Sequence, residues 1–325
     1  MPHPHPVADL LSHLALAPRQ AHKTLTLWPL VSRPDAPPSR APAYAALADA
    51  LDAGTLHVDE LRGGAQVPHV AVENRGELAV LVLFGEELRG AMQNRIANAS
   101  FLVGPHARVD IDVSCVEQGR WSRASAASRF AASRSLVSNH LRRKMAARVA
   151  VSRERLGRFV ADQSEVWSEV ERRVAGSGTR SATRAYADYA STRTRDLDEI
   201  AAAFRAVPRQ VGCVAAVGDE VTGLEVVGRP EVFARVFAGL LRAYAIDAVD
   251  VALLREDLPR LGSDPIQRRF DAPEPFLAAL GDTRPRVGPS LGLGEDVRLA
   301  GAGVCGCALV AGDVVHLTAF PAEGA

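Results

Sequence analysis

Val109, Ile111, Val113 and Cys115 alternate with Asp110, Asp112 and Ser114. A period of two puts the two sets on opposite faces, so this segment is a strand with one buried side. It closes a series of short runs, Leu56–Leu61, Val67–Glu73, Leu78–Phe84 and Arg95–Val103, parted by Gly63-Gly64, Asn74-Arg75-Gly76 and Gly104-Pro105. Strands at this spacing predict a sandwich or barrel. Leu78–Phe84 is almost wholly apolar and reads as a central strand.

The pattern changes after Trp121. Residues 122–205 are rich in Arg, Ala and Ser, and Val137, Leu141, Met145 and Val149 recur every four residues, as on one face of a helix. Beyond Pro208, Gln210–Val217 and Thr222–Val227 flank the turn Gly218-Asp219-Glu220, and Pro230 opens a helix that runs to Asp247. A Pro-rich charged stretch extends to Gly288, and Arg298–Val310 with Val314–Phe320 forms a closing hairpin. The expected class is α+β, with a β-rich N-terminal sandwich or barrel, an Arg-rich helical middle and a ββα…ββ C-terminal layer. The expected units are a tail over 1–22 with a short helix from Val7 to Leu16, a β-rich domain over 23–121, a helical region over 122–205 and an α+β domain over 206–325.

The 325 residues are 47% hydrophobic and 23% charged, which suits a globular chain. Acidic and basic residues balance at 38 each, so nucleic-acid contact would need a local basic patch. The stretch Arg120–Arg158 offers one, since Glu154 is its single acidic residue; pairing with Asp162, Glu165, Glu169 and Glu171 next door is the alternative use of that charge. No apolar run reaches membrane-span length and the N-terminus has no signal core. Four cysteines sit in strand-like runs and read as reduced thiols, so the expected location is the cytoplasm. Cys305 and Cys307 share a strand face, but the sequence has no Cys-x-x-Cys or His-x-x-x-His motif to complete a metal site with them.

Chemistry concentrates between Gly85 and Trp121. Glu86 and Glu87 follow the apolar run; Gln93, Asn94 and Arg95 offer fork-like donors; Cys115, Glu117, Gln118, Arg120 and Trp121 end the alternating strand. One reading is a pocket for a nucleotide-like ligand, with Arg95 and Arg120 on phosphate, Trp121 stacking, and the amides and the Glu86, Glu87 and Glu117 side chains on hydroxyls. The other is a structural network in which Glu87 and Glu117 pair with Arg95 and Arg120. Candidate catalytic groups are Glu87 and Glu117 as a carboxylate pair and Cys115 as a nucleophile, the last needing an imidazole such as His316 from elsewhere in the fold.

The runs Gly85–Arg95 and Val113–Trp121, with Gly228–Phe233, Leu241–Ala245 and Val315–Phe320, resemble the bacterial ARPP family, the ARG and rhodanese-phosphatase-superfamily-associated proteins. The resemblance spans residues 23–320. It implies an association with ADP-ribosylglycohydrolases and hence with ADP-ribose, NAD or phosphoester metabolism. It supplies no catalytic residue and no cofactor, and it leaves open a role as a subunit that docks a partner.

Overall fold

The computed structural model describes residues 5–61, 68–122, 129–257 and 270–322, without the side chains of 252–257. The expected Gly63-Gly64 turn and Arg123 lie outside the described residues. The N-terminal part comprises α1 (Pro6–Ser12), β1 (Leu14–Leu16), β2 (Gln20–His22), β3 (Leu25–Ser32), β4 (Tyr44–Ala46), α2 (Leu47–Asp52), β5 (Leu56–Asp59) and β6 (His69–Asn74). Next come β7 (Ala79–Val82), β8 (Glu86–Gly90), β9 (Arg95–Ala97), β10 (Phe101–Val103), β11 (Arg108–Cys115) and β12 (Phe130–Leu136). The helices α3 (Asn139–Leu156), α4 (Gln163–Gly176), α5 (Tyr186–Thr192) and α6 (Thr194–Ala202) follow. The chain finishes with β13 (Gln210–Val217), β14 (Glu220–Val227), α7 (Pro230–Asp257), α8 (Pro273–Gly281), β15 (Arg284–Pro289), β16 (Glu295–Gly301), β17 (Val304–Ala311) and β18 (Asp313–Pro321).

The fold is mixed α+β, built on three sheets. The nine-stranded sheet runs β1-β3-β13-β14-β18-β17-β16-β15, with β2 also on β3. The six-stranded sheet runs β12-β8-β9-β11-β6-β5, and β10-β7-β4 forms the third. The first long strand, β3, pairs antiparallel with β13, from Leu25 opposite Val217 to Val31 opposite Gln210. N- and C-terminal segments thus share one sheet, because the buried side chains of β3 (Leu25, Leu27 and Leu30) find their partners in β13 and not in the strands that follow.

Several elements differ from expectation. The helical middle contains a strand, β12, whose polar sequence hides its role as the partner of β8. The helix expected over Val7–Leu16 ends at Ser12, and β1 follows. The run Arg298–Val310 is two strands, reversed where Gly301, Ala302 and Gly303 all take positive φ, a conformation that the two glycines adopt without strain. The Pro-rich stretch contains α8, with Pro273 in its first turn, and β15.

One buried polar cluster ties the sheets together. Arg142 of α3 pairs with Glu225 of β14, and both side chains are fully buried. Thr318 donates to Glu225 at 2.7 Å, and His316 Nε2 lies 2.7 Å from the other carboxylate oxygen. A carboxylate only accepts, so Nε2 carries the hydrogen; Nδ1 lies 2.7 Å from the Ser100 hydroxyl, which accepts from the Phe84 N–H at 3.0 Å. Burial pushes the Glu225 carboxyl up, but Arg142, His316 and Thr318 outweigh it and hold the group below the ordinary carboxylate range. The Arg142 guanidinium lies 5.7 Å from the rings of Tyr244 and Phe320.

Removing one partner of such a pair strands a charge out of water, at a cost of about 3–5 kcal/mol. Urea unfolding of Arg142→Met is expected to show a loss of this size. The double variant Arg142→Met/Glu225→Gln, which leaves no charge and keeps an acceptor for His316, is expected to recover part of it. Equal losses in the two would refute the stranded-charge account.

Candidate ligand site

The apolar run through β7 ends at Phe84, and Gly85 turns the chain at φ +79. A Cβ at Gly85 would lie 2.5 Å from the Arg142 side chain, so glycine is what lets that arginine pass. Strand β8 then sends its two glutamates to opposite faces, as successive strand residues must go. Glu86 accepts from the Leu83 N–H at 3.0 Å and borders a small cavity with Asp49, Arg134 and Arg235. Burial pushes its carboxyl up to about 7.

Glu87 faces the other way and is 1% exposed. One of its carboxylate oxygens accepts from Arg89 Nε at 2.9 Å, while Oε1 is sealed from solvent with no hydrogen-bond partner. Burial pushes the carboxyl up, opposed by Arg89 and the Ser133 hydroxyl and reinforced by Glu117. This side chain borders a cleft of about 180 Å³. Arg89 of β8 and Ser133 and Ser135 of β12 form one wall, and Tyr186 and Ser191 of α5, Thr194 and Leu197 of α6 and Arg242 and Ile246 of α7 the other. Arg242 pairs with Asp198 of α6 at the rim.

Most of the remaining predicted residues meet in one network beside this strand. Arg120 holds Glu117 in a two-pronged fork, at 2.9 and 2.7 Å, and donates to the main-chain oxygens of Ala91, Ser122 and Gly90 and to Asn94 Oδ1. Asn94 accepts from the Gly90 N–H at 3.1 Å and gives its own N–H to Glu117 at 3.1 Å. Burial pushes Glu117 up, but Arg120 and the Asn94 N–H hold it below the ordinary range. Gln93 bridges the Glu117 carbonyl and Arg95 Nη1. Arg95 is fully buried; its Nε and Nη2 have no hydrogen-bond partner, and its guanidinium lies 5.5 Å from the Trp121 ring, which is 47% exposed.

Gln118 is exposed and contacts Arg184. Cys115 is buried and its thiol donates to the Glu117 carbonyl at 3.2 Å, while Gln163 clamps its main-chain N–H and C=O at 2.8 Å each. His316 is committed to Ser100 and Glu225, not to Cys115. The three catalytic candidates have different surroundings. Glu87 borders the cleft, Glu117 is held by Arg120 and Asn94, and Cys115 lies in the core. No group of three or more His, Cys, Asp or Glu among the described residues is placed to hold a metal. Arg89, Ser133, Ser135, Ser191, Thr194 and Arg242 were not singled out as site residues, because they come from five elements that only the fold assembles. The signals available were Arg89, within the Gly85–Arg95 run, and Arg242, within the Leu241–Ala245 run.

Two other features bear on the choice of site. A larger cavity, about 420 Å³, lies between α1 and the turn at Gly312-Asp313; of its lining residues Arg40 and Asp313 pair with each other, and none of the residues from 85 to 121 borders it. The basic stretch is largely paired: Arg129 with Asp59, Arg134 with Asp52, Lys144 with Glu169, Arg148 with Glu165, Arg153 with Asp296 and Arg158 with Asp112.

Two outcomes are expected from these contacts. Arg120→Lys keeps the charge but loses the fork, so the melting temperature should drop by a few degrees, corresponding to about 1–3 kcal/mol for lost charge-assisted bonds; an unchanged value would show that the fork does not hold the loop. Glu86 takes up its proton at a higher pH when folded than the ordinary 4.5. Its stabilising contribution is full below about 4.5 and is lost as pH rises through about 7. Glu86→Gln should flatten that decline in melting temperature; a wild-type slope in the variant would assign the effect elsewhere.

The sequence profile of the family described as ARG and Rhodanese-Phosphatase-superfamily-associated Protein domain matches residues 13–320. Neither a curated protein nor a solved structure matches the chain. The match covers nearly the whole chain, including both strands of the β3–β13 pair and the five segments that carry the resemblance, and so the chain belongs to the family of ARG and rhodanese-phosphatase-superfamily-associated proteins.

Proposed function

We propose that this protein binds a small hydroxylated oxyanion, of the nucleotide or ADP-ribose class, in the cleft bordered by Glu87. The observation that supports the reading is the buried Glu87 side chain, with one carboxylate oxygen unpaired, at the border of a cavity that is also lined by Arg89, Arg242, Ser133, Ser135 and Thr194. Buried polar atoms are ordinarily satisfied, so an unpaired one on a cavity wall marks a place where a ligand atom completes the bonding. Arginine suits phosphate, and hydroxyls suit a ribose. A volume of about 180 Å³ is smaller than a drug-sized pocket, so it accepts a sugar-phosphate end and not a whole dinucleotide.

In this reading Gln93, Asn94, Glu117 and Arg120 hold the strand β8 in place and do not touch the ligand. Arg95 beneath Trp121 lies in the same network. The family's description, with its ARG and rhodanese-phosphatase association, supports the same ligand chemistry and a role beside enzymes of ADP-ribose or phosphoester metabolism. Four cysteines without disulfides favour a reducing compartment, the cytoplasm. The paired state of the basic stretch weighs against nucleic acid as the partner.

A thermal-shift series with ADP-ribose, AMP and ribose 5-phosphate tests the reading. A ligand at a hundred times its Kd should stabilise the protein by about 2.7 kcal/mol. Arg242→Ala should fold and weaken that response about tenfold or more. If none of the three raises the melting temperature at millimolar concentration, the cleft is not a site for this class.

A further inference from the structure

We infer that an oxyanion enters this cleft together with one proton, which comes to rest between Glu87 Oε1 and an oxygen of the ligand. The inference depends on the cleft being the ligand site. It stands on the charges that the cleft brings together. Arg89 is hydrogen-bonded to Glu87, and Arg242 is paired with Asp198. With Glu87 ionised, each guanidinium is matched by a carboxylate and the cleft has no positive charge to offer. An arriving oxyanion would also meet an unshielded carboxylate oxygen, since Oε1 has no donor of its own. Two negative oxygens at contact distance cannot both remain ionised in a buried site. With Glu87 protonated the cleft carries one net positive charge, and the carboxylic acid O–H becomes a donor aimed at the ligand.

The surroundings favour this protonation. Burial pushes the Glu87 carboxyl up, and Glu117 adds to that push. Beside Glu87 the cleft is lined by Arg89 on its own strand, Ser133 and Ser135 from β12, Tyr186 from α5, Thr194 from α6 and Arg242 from α7, and Glu117 acts on the same carboxyl from outside the cleft. Tyr186 is itself held neutral, its hydroxyl accepting from the Ser138 N–H at 2.9 Å and its ionisation pushed far up by burial. Among the described residues no histidine borders the cleft, and Glu87 is the carboxyl group that does. The proton comes from solvent on binding and returns to it on release; only the O–H bond of Glu87 forms and breaks.

A phosphomonoester takes up its own proton at about pH 6, so the probe must not titrate there. ADP-ribose, whose diphosphate has no such proton, and inorganic sulfate both qualify. Calorimetric titration of the full chain in two buffers of different ionisation heat, from about pH 6 to about pH 8.5, measures affinity and proton uptake together. Wild type should take up close to one proton per ADP-ribose at the alkaline end, with Kd rising about tenfold per pH unit there; sulfate should follow the same trend. Glu87→Gln, a permanent neutral donor, should take up no proton and bind at least about tenfold more tightly than wild type at about pH 8.5. Wild-type binding that is independent of pH, with no proton exchanged, overturns the inference and leaves the cleft reading standing. Wild-type proton uptake persisting in Glu87→Gln also overturns it, by assigning the proton to another group. Failure of both probes at every pH overturns the cleft reading and this inference with it. The wild-type proton count decides the matter even if Glu87→Gln does not fold.

Discussion

The pairing of Arg142 with Glu225 places a full positive and a full negative charge where no water reaches either. Such a pair is tolerable only where hydrogen bonds engage most of the polar atoms around it, because each unpaired group adds its own desolvation cost; Arg142 Nε and the Tyr244 hydroxyl are the buried atoms of this cluster left without a hydrogen bond. Here the engagement spreads across the molecule. Glu225 is on β14, Thr318 and His316 are on β18, Ser100 precedes β10, and Arg142 descends from α3 across Gly85. The helix cannot shift along the sheet without breaking an ion pair that has nothing else to bind to.

The position of β8 follows from this anchoring. Gly85 accepts from the Val137 N–H and donates to the Ala97 carbonyl, so the start of β8 is fastened both to the segment leading into α3 and to the six-stranded sheet. Ser138, next in the chain, caps α3 through Leu141 and gives its own N–H to the Tyr186 hydroxyl on α5. The cleft wall made by α5 and the strand that carries Glu87 are therefore held by adjacent residues of one segment. On the far side of β8, the Arg120 fork and Asn94 close the loop after Gly90. Between two fixed ends, the pleat alone decides that Glu86 and Glu87 serve different cavities.

The alternating row at Val109–Cys115 was legible because a period of two reports directly on burial, and β11 is there. The β13–β14 hairpin and the start of α7 were legible from Gly218, Asp219 and Pro230, whose backbone preferences are local. Strand β12 was not, since Ala131, Ala132, Ser133, Arg134 and Ser135 carry no apolar alternation; it is a strand because β8 offers it an edge. The density of polar residues from Gly85 to Trp121 coincides with the Arg120–Glu117 network and, at Glu87 and Arg89, with the edge of the cleft. It did not sort groups that border the cleft from groups saturated within the network. Glu87 and Glu117 look alike in sequence, yet one borders the cleft with a buried, unpaired oxygen and the other is saturated by Arg120 and Asn94.

What the sequence determined by itself is what depends on near neighbours: the strand periods, the helix caps and turns, the α+β class and the family, each carried by residues a few positions apart. What only the tertiary structure decided is which distant residues share an environment. That β3 joins β13, that Arg142 finds Glu225, and that Glu87 meets Arg242 across more than a hundred residues depend on burial and long-range charge pairing. Those energies are set by the dielectric and the contacts of the folded interior, which no local pattern encodes.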